Sequence, residues 1–228
     1  MKTAIESRDC VTCGETNCFF KQNAKIDWLE IIGNQKQTFV FKKDDILFAE
    51  GEEMKGIYSI HYGAVKELIQ GDADEEIISF SSAGMLIGYR GMGPQRNEFK
   101  TTAVALNDVE VVYFPMSKFL VAMHANPMMM QSLLALSISD LNWAETKVRF
   151  LMKATAEEKI IRVLQYLHGI FGFNHTIPGQ LAFTPSRKDI VNFSGLTYET
   201  VTRALNALKR EGKIEFNNKE ILLLPDFL

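Results

Sequence analysis

Thr184-Pro185-Ser186-Arg187-Lys188-Asp189-Ile190-Val191-Asn192-Phe193-Ser194-Gly195-Leu196-Thr197-Tyr198-Glu199-Thr200-Val201-Thr202-Arg203 begins the stretch that decides the fold, and it continues to Leu224. Ser186 through Asp189 has the form of a capping box, a hydroxyl at the N-cap and a carboxylate three residues on. It predicts a short helix that buries Ile190 and Phe193. Ser194-Gly195-Leu196 then turns the chain. Thr197 caps a second helix expected to run to about Arg210, with Val201, Leu205 and Leu208 recurring at helical spacing on its inner face. Lys213-Ile214-Glu215-Phe216 and Glu220-Ile221-Leu222-Leu223 flank Asn217-Asn218-Lys219, the pattern of a two-stranded wing.

Glu199, Thr202 and Arg203 lie at i, i+3 and i+4 and share the outer face of that second helix near its N-terminal end. In a helix-turn-helix this end enters the major groove. Arg203 can donate two hydrogen bonds to guanine O6 and N7, Glu199 can accept from cytosine N4, and Thr202 offers a hydroxyl and a methyl group. Thr197 and Tyr198, with Ser186 and Arg187 at the first helix start, complete the expected DNA-contacting set. An ordinary exposed charge pair is the alternative, but the capping box, glycine turn, inner stripe and wing all agree with one another.

The earlier part of the chain reads as short β-rich runs: Phe39-Val40-Phe41, Ile46-Leu47-Phe48, Ile57-Tyr58-Ser59-Ile60, Val65 to Ile69, Ile77 to Phe80 and Val109 to Tyr113. Gly51, Gly63, Gly71 and Gly84 punctuate them where a compact antiparallel barrel needs tight corners.

Gly195 to Arg203 is similar to the recognition-helix motif of the CRP/FNR superfamily of bacterial transcription regulators. Glu50-Gly51-Glu52 and Ile57 to Lys66 resemble the first half of that family's β-roll, and Gly84-Met85-Leu86-Ile87-Gly88 its second half. The resemblance covers about residues 27 to 228. It implies an α+β chain: an N-terminal antiparallel β-roll like a cyclic-nucleotide-binding domain, a long dimerisation helix, and a C-terminal winged helix-turn-helix. Also implied are a homodimer, palindromic double-stranded DNA with half-sites near TTGA or TTGC, and RNA polymerase as partner if the chain is an activator. The expected divisions are a cysteine-containing segment at 1–26, the sensor at 27–117, the dimerisation region at 118–152 and the DNA-binding domain at 153–228.

Relatives of the cyclic-AMP receptor carry a Glu after the β-roll Gly and an Arg-Ser pair about ten residues later. Here Gly88 is followed by Tyr89, and alignment on Ala105 puts Phe99 and Lys100 at the Arg-Ser positions. A cyclic nucleotide would lose charge-assisted bonds of about 1.5 to 3 kcal/mol each, which argues against cyclic AMP. Gly88, Tyr89, Arg90 and Lys100, with Arg96, are the candidates for some other ligand, an anion in particular. The alternative for these cations is a set of solvated loop charges.

From Asn126, with Pro127 at the first helical position, to about Lys153 the chain predicts one long helix. Met130, Leu134, Ser137, Leu141, Ala144, Val148 and Leu151 alternate steps of four and three, a heptad seam suited to a two-stranded coiled coil. Met130, Leu134, Leu141, Val148 and Leu151 are its expected dimer contacts. Leu133, Leu136 and Trp143 form a second stripe expected to face the barrel. Pairing has a purpose, since two recognition helices must reach major grooves about 34 Å apart. Thr155-Ala156-Glu157-Glu158 is another capping box, and the 152–155 break before it is the expected hinge.

All three cysteines of the chain, Cys10, Cys13 and Cys18, fall in one nine-residue window. The C-x2-C-x4-C spacing lets three thiolates converge on one metal centre, and a reducing compartment disfavours a structural disulfide. The window resembles the N-terminal cluster of the oxygen-sensing FNR branch, which supplies four ligands where this chain offers three cysteines. A carboxylate, an imidazole or an exogenous group must fill the gap. Four readings stay open: an oxygen- or NO-labile iron–sulfur cluster, a zinc ion, a thiol redox switch, and an inert segment. His61, His124, His168 and His175 are scattered and lack spaced partners, so each reads first as a structural or surface histidine, the alternative being that one completes a metal site or binds haem.

The net charge of −3 divides unevenly. Residues 1–152 hold 15 basic and 20 acidic side chains, a balance of −5, and 153–228 hold 10 and 8, a balance of +2. Phosphate contacts are therefore expected to be local and few per subunit. No apolar run is long enough to cross a bilayer and residues 1–9 have no apolar h-region, so a cytoplasmic location without membrane contact is expected. No hydrolase elbow, P-loop or paired-carboxylate motif supports catalysis. Two rivals remain: a regulator sensing a small molecule or haem in the β-roll with incidental cysteines, and a winged-helix interaction protein that does not bind DNA.

Overall fold

The computed structural model describes residues 3–6, 9–71, 74–93 and 97–227, and of 149–153 the helical backbone alone. In chain order the elements are β1 (Thr3–Ile5), α1 (Phe19–Asn23), α2 (Ile26–Gln35), β2 (Gln37–Phe41), β3 (Ile46–Phe48), β4 (Gly56–Tyr62), β5 (Val65–Gln70), β6 (Glu75–Ser81) and β7 (Leu86–Ile87). They continue with β8 (Thr102–Ala105), β9 (Val109–Pro115), α3 (Met116–Ala125), α4 (Pro127–Lys153), α5 (Ala156–Phe171), α6 (Arg187–Ser194), α7 (Tyr198–Arg210), β10 (Ile214–Asn217) and β11 (Glu220–Leu223). The chain divides into two compact units, 1–69 with 81–142, and 70–80 with 143–228. Contacts thus group β6 and α4 from Trp143 onward with the C-terminal module, where the linear divisions place them elsewhere.

The first unit is an antiparallel β-roll. One sheet runs β1-β2-β9-β4-β7, and β3-β8-β5 run side by side in the other. Period-two alternation sets its interior: Val109 and Val111 of β9 are buried, with their partners Phe41 and Ile60 on the neighbouring strands. Thr38 and Ser59 both pair with Val112, so the three share the opposite face. A register shift between Ile60 and Tyr62 makes His61 the extra residue of a β-bulge against β9. α1, α2 and α3 close this unit through Phe19, Phe20, Leu29, Ile32, Phe119 and Met123. None of these three helices is prominent in the sequence, because each is short or lacks a strong cap.

The chain turns by 111° between α3 and α4, at Asn126. Asn126 is buried, its amide donates to the Ala122 carbonyl at 2.8 Å, and its Oδ1 accepts the Lys25 N–H at 3.0 Å. α4 starts at Pro127, as the N1 preference of proline predicts. Met129 and Leu133 bury against the β-roll core and Leu136 packs beside them. Met130, Leu134, Ile138, Leu141 and Val148 are between 45% and 60% exposed, an apolar stripe along the other side. No single helix among the described residues is long and apolar enough to cross a membrane.

In the second unit both capping boxes form: Thr155 with Glu158 starts α5, and Ser186 with Asp189 starts α6. Thr155 holds the Glu158 carboxylate below its ordinary range by its backbone hydrogen bond. Gly195 ends α6 at φ 67°, a left-handed C-cap that a side chain would strain. The Thr197 hydroxyl accepts the Thr200 N–H at 3.3 Å and starts α7. Val201, Ala204, Leu205 and Leu208 of α7 bury against Ile160, Val163, Leu164 and Leu167 of α5 and Ile190 and Phe193 of α6. β10 and β11 pair from Ile214–Leu223 to Asn217–Glu220 around a tight turn in which Asn218 takes φ 55°. Trp143 belongs to an aromatic group that includes Phe80 of β6. Its indole stacks on Tyr166 at 4.5 Å, and the same aromatic group holds Phe193 and Phe80, because rings of this size gain more from one another than from an exposed site.

Candidate functional site

Two groups of residues carry chemistry. The first is the exposed face of α7, where Tyr198, Glu199, Thr202 and Arg203 line one open, shallow surface together with Asn206 and Arg210. Its other face is fully packed, so the helix is fixed and this face is presented to solvent. The Thr202 hydroxyl donates to the Tyr198 carbonyl at 2.8 Å, so it is already engaged by its own helix. Ser186 and Thr197 spend their hydroxyls on caps. Arg187 lies 4.8 Å over the Phe216 ring of the wing and is half-buried, and burial pulls its guanidinium below the ordinary value. Asn206 and Arg210 extend the face by the same i+3 and i+7 steps from Arg203, a spacing already present in the sequence.

The second group lines a small recess of about 30 Å³ in the first unit. Cys10, Cys13 and Cys18 line it with Lys36, His61 and Glu110, and its walls include Phe20, Leu29, Ile32 and Val112. All three thiols are free and half-buried. The segment is anchored at its end, where the Phe19 N–H donates to the Gly84 carbonyl at 3.0 Å. Gly84 has φ +87°, and a Cβ there would sit 2.6 Å from the Asn17 carbonyl oxygen, so the residue must be glycine for the cysteine segment to cross it.

Lys36, itself buried, donates to Cys10 Sγ at 3.1 Å. Burial pushes the Cys10 thiol up, and this hydrogen bond opposes the shift. His61 Nδ1 stands 3.8 Å from Cys13 Sγ, while its Nε2 faces Glu110 Oε1 at 4.0 Å. Lys21 Nζ donates to the Cys13 carbonyl. Among the described residues no three His, Cys, Asp or Glu side chains are gathered tightly enough for a single metal ion. Three thiols and an imidazole lining one recess are nonetheless ligand types of an iron–sulfur group. The donor set fits that group.

The β-roll interior is closed by aromatics. Phe99 stacks on Phe48 at 3.9 Å, with Tyr58 packed against both. Gly88 holds φ +84° beneath Phe99, and its N–H donates to Glu67 Oε1 at 3.1 Å. Arg90 is neither a solvated charge nor directed at an anion. Its Nη1 donates to Glu67 Oε2 at 2.7 Å and its Nε to Asp140 Oδ2 at 3.0 Å, while the Tyr89 hydroxyl donates to the same Asp140 oxygen at 2.7 Å. Burial and Asp140 push the Tyr89 hydroxyl up; the two carboxylates keep Arg90 charged despite its burial. Lys100 is exposed, and Arg96 lies outside the described residues, as does the side chain of Leu151.

Residues 38–126 match the family model of the cyclic nucleotide-binding domain, and residues 158–227 match that of the Crp-like helix-turn-helix domain. The chain belongs to the CRP/FNR family. It is 28% identical over 223 residues to Electron transport regulator A of Shewanella oneidensis, covering 97% of this chain and 87% of the relative. It is 27% identical over 221 residues to the fumarate and nitrate reduction regulatory protein of Escherichia coli K12, covering 96% and 87%. Among solved structures, FixK2 from Bradyrhizobium japonicum superposes with a TM-score of 0.71 at 26% identity over 82% of this chain and 92% of that one. The protein is thus a DNA-binding transcription regulator, similar to relatives that are regulators and not enzymes.

For a CRP/FNR regulator the sequence locates the recognition helix and the three thiols. It does not reveal His61, Glu110 or Lys36 beside them. His61 is 48 residues from Cys13, and a bulge that aims one side chain leaves no periodic mark.

Proposed function

We propose that this CRP/FNR regulator binds palindromic DNA as a homodimer and that an iron–sulfur cluster at Cys10, Cys13 and Cys18 makes its DNA occupancy respond to oxygen or NO. The convergence of all three cysteines on one recess of the β-roll, with a buried lysine and a histidine, carries the reading. When bound, the cluster supplies a centre that oxidants attack. Glu199, Thr202 and Arg203 read base edges, and Arg187 with the helix starts contacts phosphate. The exposed stripe Met130, Leu134, Leu141 and Val148 forms the dimer seam, with Leu151 continuing its heptad. RNA polymerase is the further partner if the protein activates, and the cytoplasm is its compartment. The closed aromatic interior favours the cysteines over the β-roll as sensor and disfavours cyclic AMP.

Purification without oxygen, with iron and acid-labile sulfide analysis and operator binding measured before and after air, tests the reading. The expected protein is brown and changes its DNA affinity in air, and the Cys10→Ser, Cys13→Ser, Cys18→Ser triple variant keeps half-site preference but loses the response. A colourless, metal-free parent overturns it.

A further inference from the structure

Three cysteines leave one coordination position of a four-ligand centre unassigned, and the recess holds two side chains outside the cysteine window that can donate to iron, His61 and Glu110, besides Glu15 within it. Glu15 is already turned to its own segment, accepting the Asn17 N–H at 2.8 Å. Glu110 faces the imidazole. His61 directs Nδ1 at Cys13 Sγ and Nε2 at Glu110 Oε1, and both side chains are largely buried, 17% and 14% exposed.

That arrangement resembles the one a metal-ligating histidine takes, with one ring nitrogen toward the metal and the other turned to a carboxylate, here 4.0 Å away. The β-bulge supplies the reason His61 can do this. As the extra residue between Ile60 and Tyr62 it is released from the pairing alternation and aimed out of the ladder toward the cysteine segment. Charge agrees as well. A cluster on three thiolates and a neutral imidazole carries one negative charge fewer than one on four thiolates, and Lys36 brings a single buried ammonium against Cys10.

We infer that His61 is the fourth protein ligand of the centre held by Cys10, Cys13 and Cys18, with Glu110 as the positioning residue of its imidazole. The inference rests on the cluster reading above. Imidazole in place of thiolate raises the reduction potential of an iron–sulfur centre, so the ligand set itself tunes the redox poise of the sensor.

The test is anaerobic reconstitution of the full chain with ferrous iron and sulfide, followed by pulsed electron paramagnetic resonance of the reduced protein with natural-abundance and ¹⁵N-labelled histidine. The parent is expected to bind iron and sulfide and to show a nitrogen coupling that changes with the label. His61→Ala loses that coupling and sheds iron in air about tenfold faster. His61→Cys loses the coupling but holds its iron longer than the parent. Glu110→Gln keeps the coupling with iron bound about tenfold more weakly. A parent that binds iron and sulfide but shows no histidine coupling overturns the inference and leaves the cluster standing. A parent that takes up neither overturns the cluster reading and this inference with it.

Discussion

Ser132 Oγ of α4 donates a hydrogen bond to Asn23 Oδ1, the last residue of α1, at 2.5 Å. The other end of α1 is Cys18, its N-cap, and Asn23 Nδ2 closes the helix on the Phe19 carbonyl at 2.8 Å. A five-residue helix therefore runs from the third thiol to the helix that bears the exposed apolar stripe. A change at Cys18 that shifts α1 meets α4 at this side-chain contact and through the core that Phe19 and Phe20 share with Met129 and Leu133.

Asn23→Ala removes that contact at a cost of about 1 kcal/mol. Operator binding in the absence of oxygen should persist, whereas the difference between anaerobic and air-exposed protein should shrink. Fluorescence anisotropy on a labelled operator under both conditions checks it, and an undiminished difference would place the coupling elsewhere.

Arg203→Ala should lose about 1 to 3 kcal/mol of operator binding and accept any base at one position, with Glu199→Ala relaxing a neighbouring base pair. Selection from random DNA reads both effects directly. A variant that weakens binding equally on all sequences would make Arg203 a phosphate contact.

Leu141→Glu places like charges against each other across a two-fold axis. Leu141 is 60% exposed, so the folded chain tolerates the change while pairing does not. Light scattering should show monomers and operator affinity should fall; a dimeric variant would move the seam to other residues.

Titration calorimetry with cyclic AMP should give no binding heat, because Phe99 fills the β-roll and Arg90 is already matched by Glu67 and Asp140. Phe99→Ala empties a packed site and should cost about 3 to 5 kcal/mol in urea unfolding. Measurable cyclic AMP binding by the parent would mean that the ring moves aside.

Burial pushes the Tyr58 phenol up to about 12. With the unfolded value near 10, the folded state holds this proton more tightly. Its contribution is full below about pH 10 and declines as pH rises toward 12. Urea unfolding of the parent should weaken over that window, and Tyr58→Phe should flatten the decline; an identical slope would assign it to other groups.

The DNA module was the most legible part of the chain because its determinants are local. A hydroxyl and a carboxylate three residues apart make a capping box wherever they stand, and Ser186 with Asp189 and Thr155 with Glu158 do so here. The stripe on α4 was legible for the same reason, since a helix converts spacing into a face. What could not be read depends on distance in sequence. Arg90 meets Glu67 and Asp140 from 23 and 50 residues away, so its identity as a buried ion pair has no local signature. Asn206 and Arg210 were readable by spacing, yet lie beyond the first turns on which base contacts concentrate.

Phe19 and Phe20 are 6% and 3% exposed and belong to the same core as β4 and β9. The portable piece of this regulator is consequently larger than its matched domains, which span 38–126 and 158–227. A chimera that takes a sensor from one relative and a DNA module from another has to carry the cysteine segment with the sensor. Cut away at the domain edge, it would leave two aromatic vacancies in the recipient and a glycine at position 84 with nothing crossing over it.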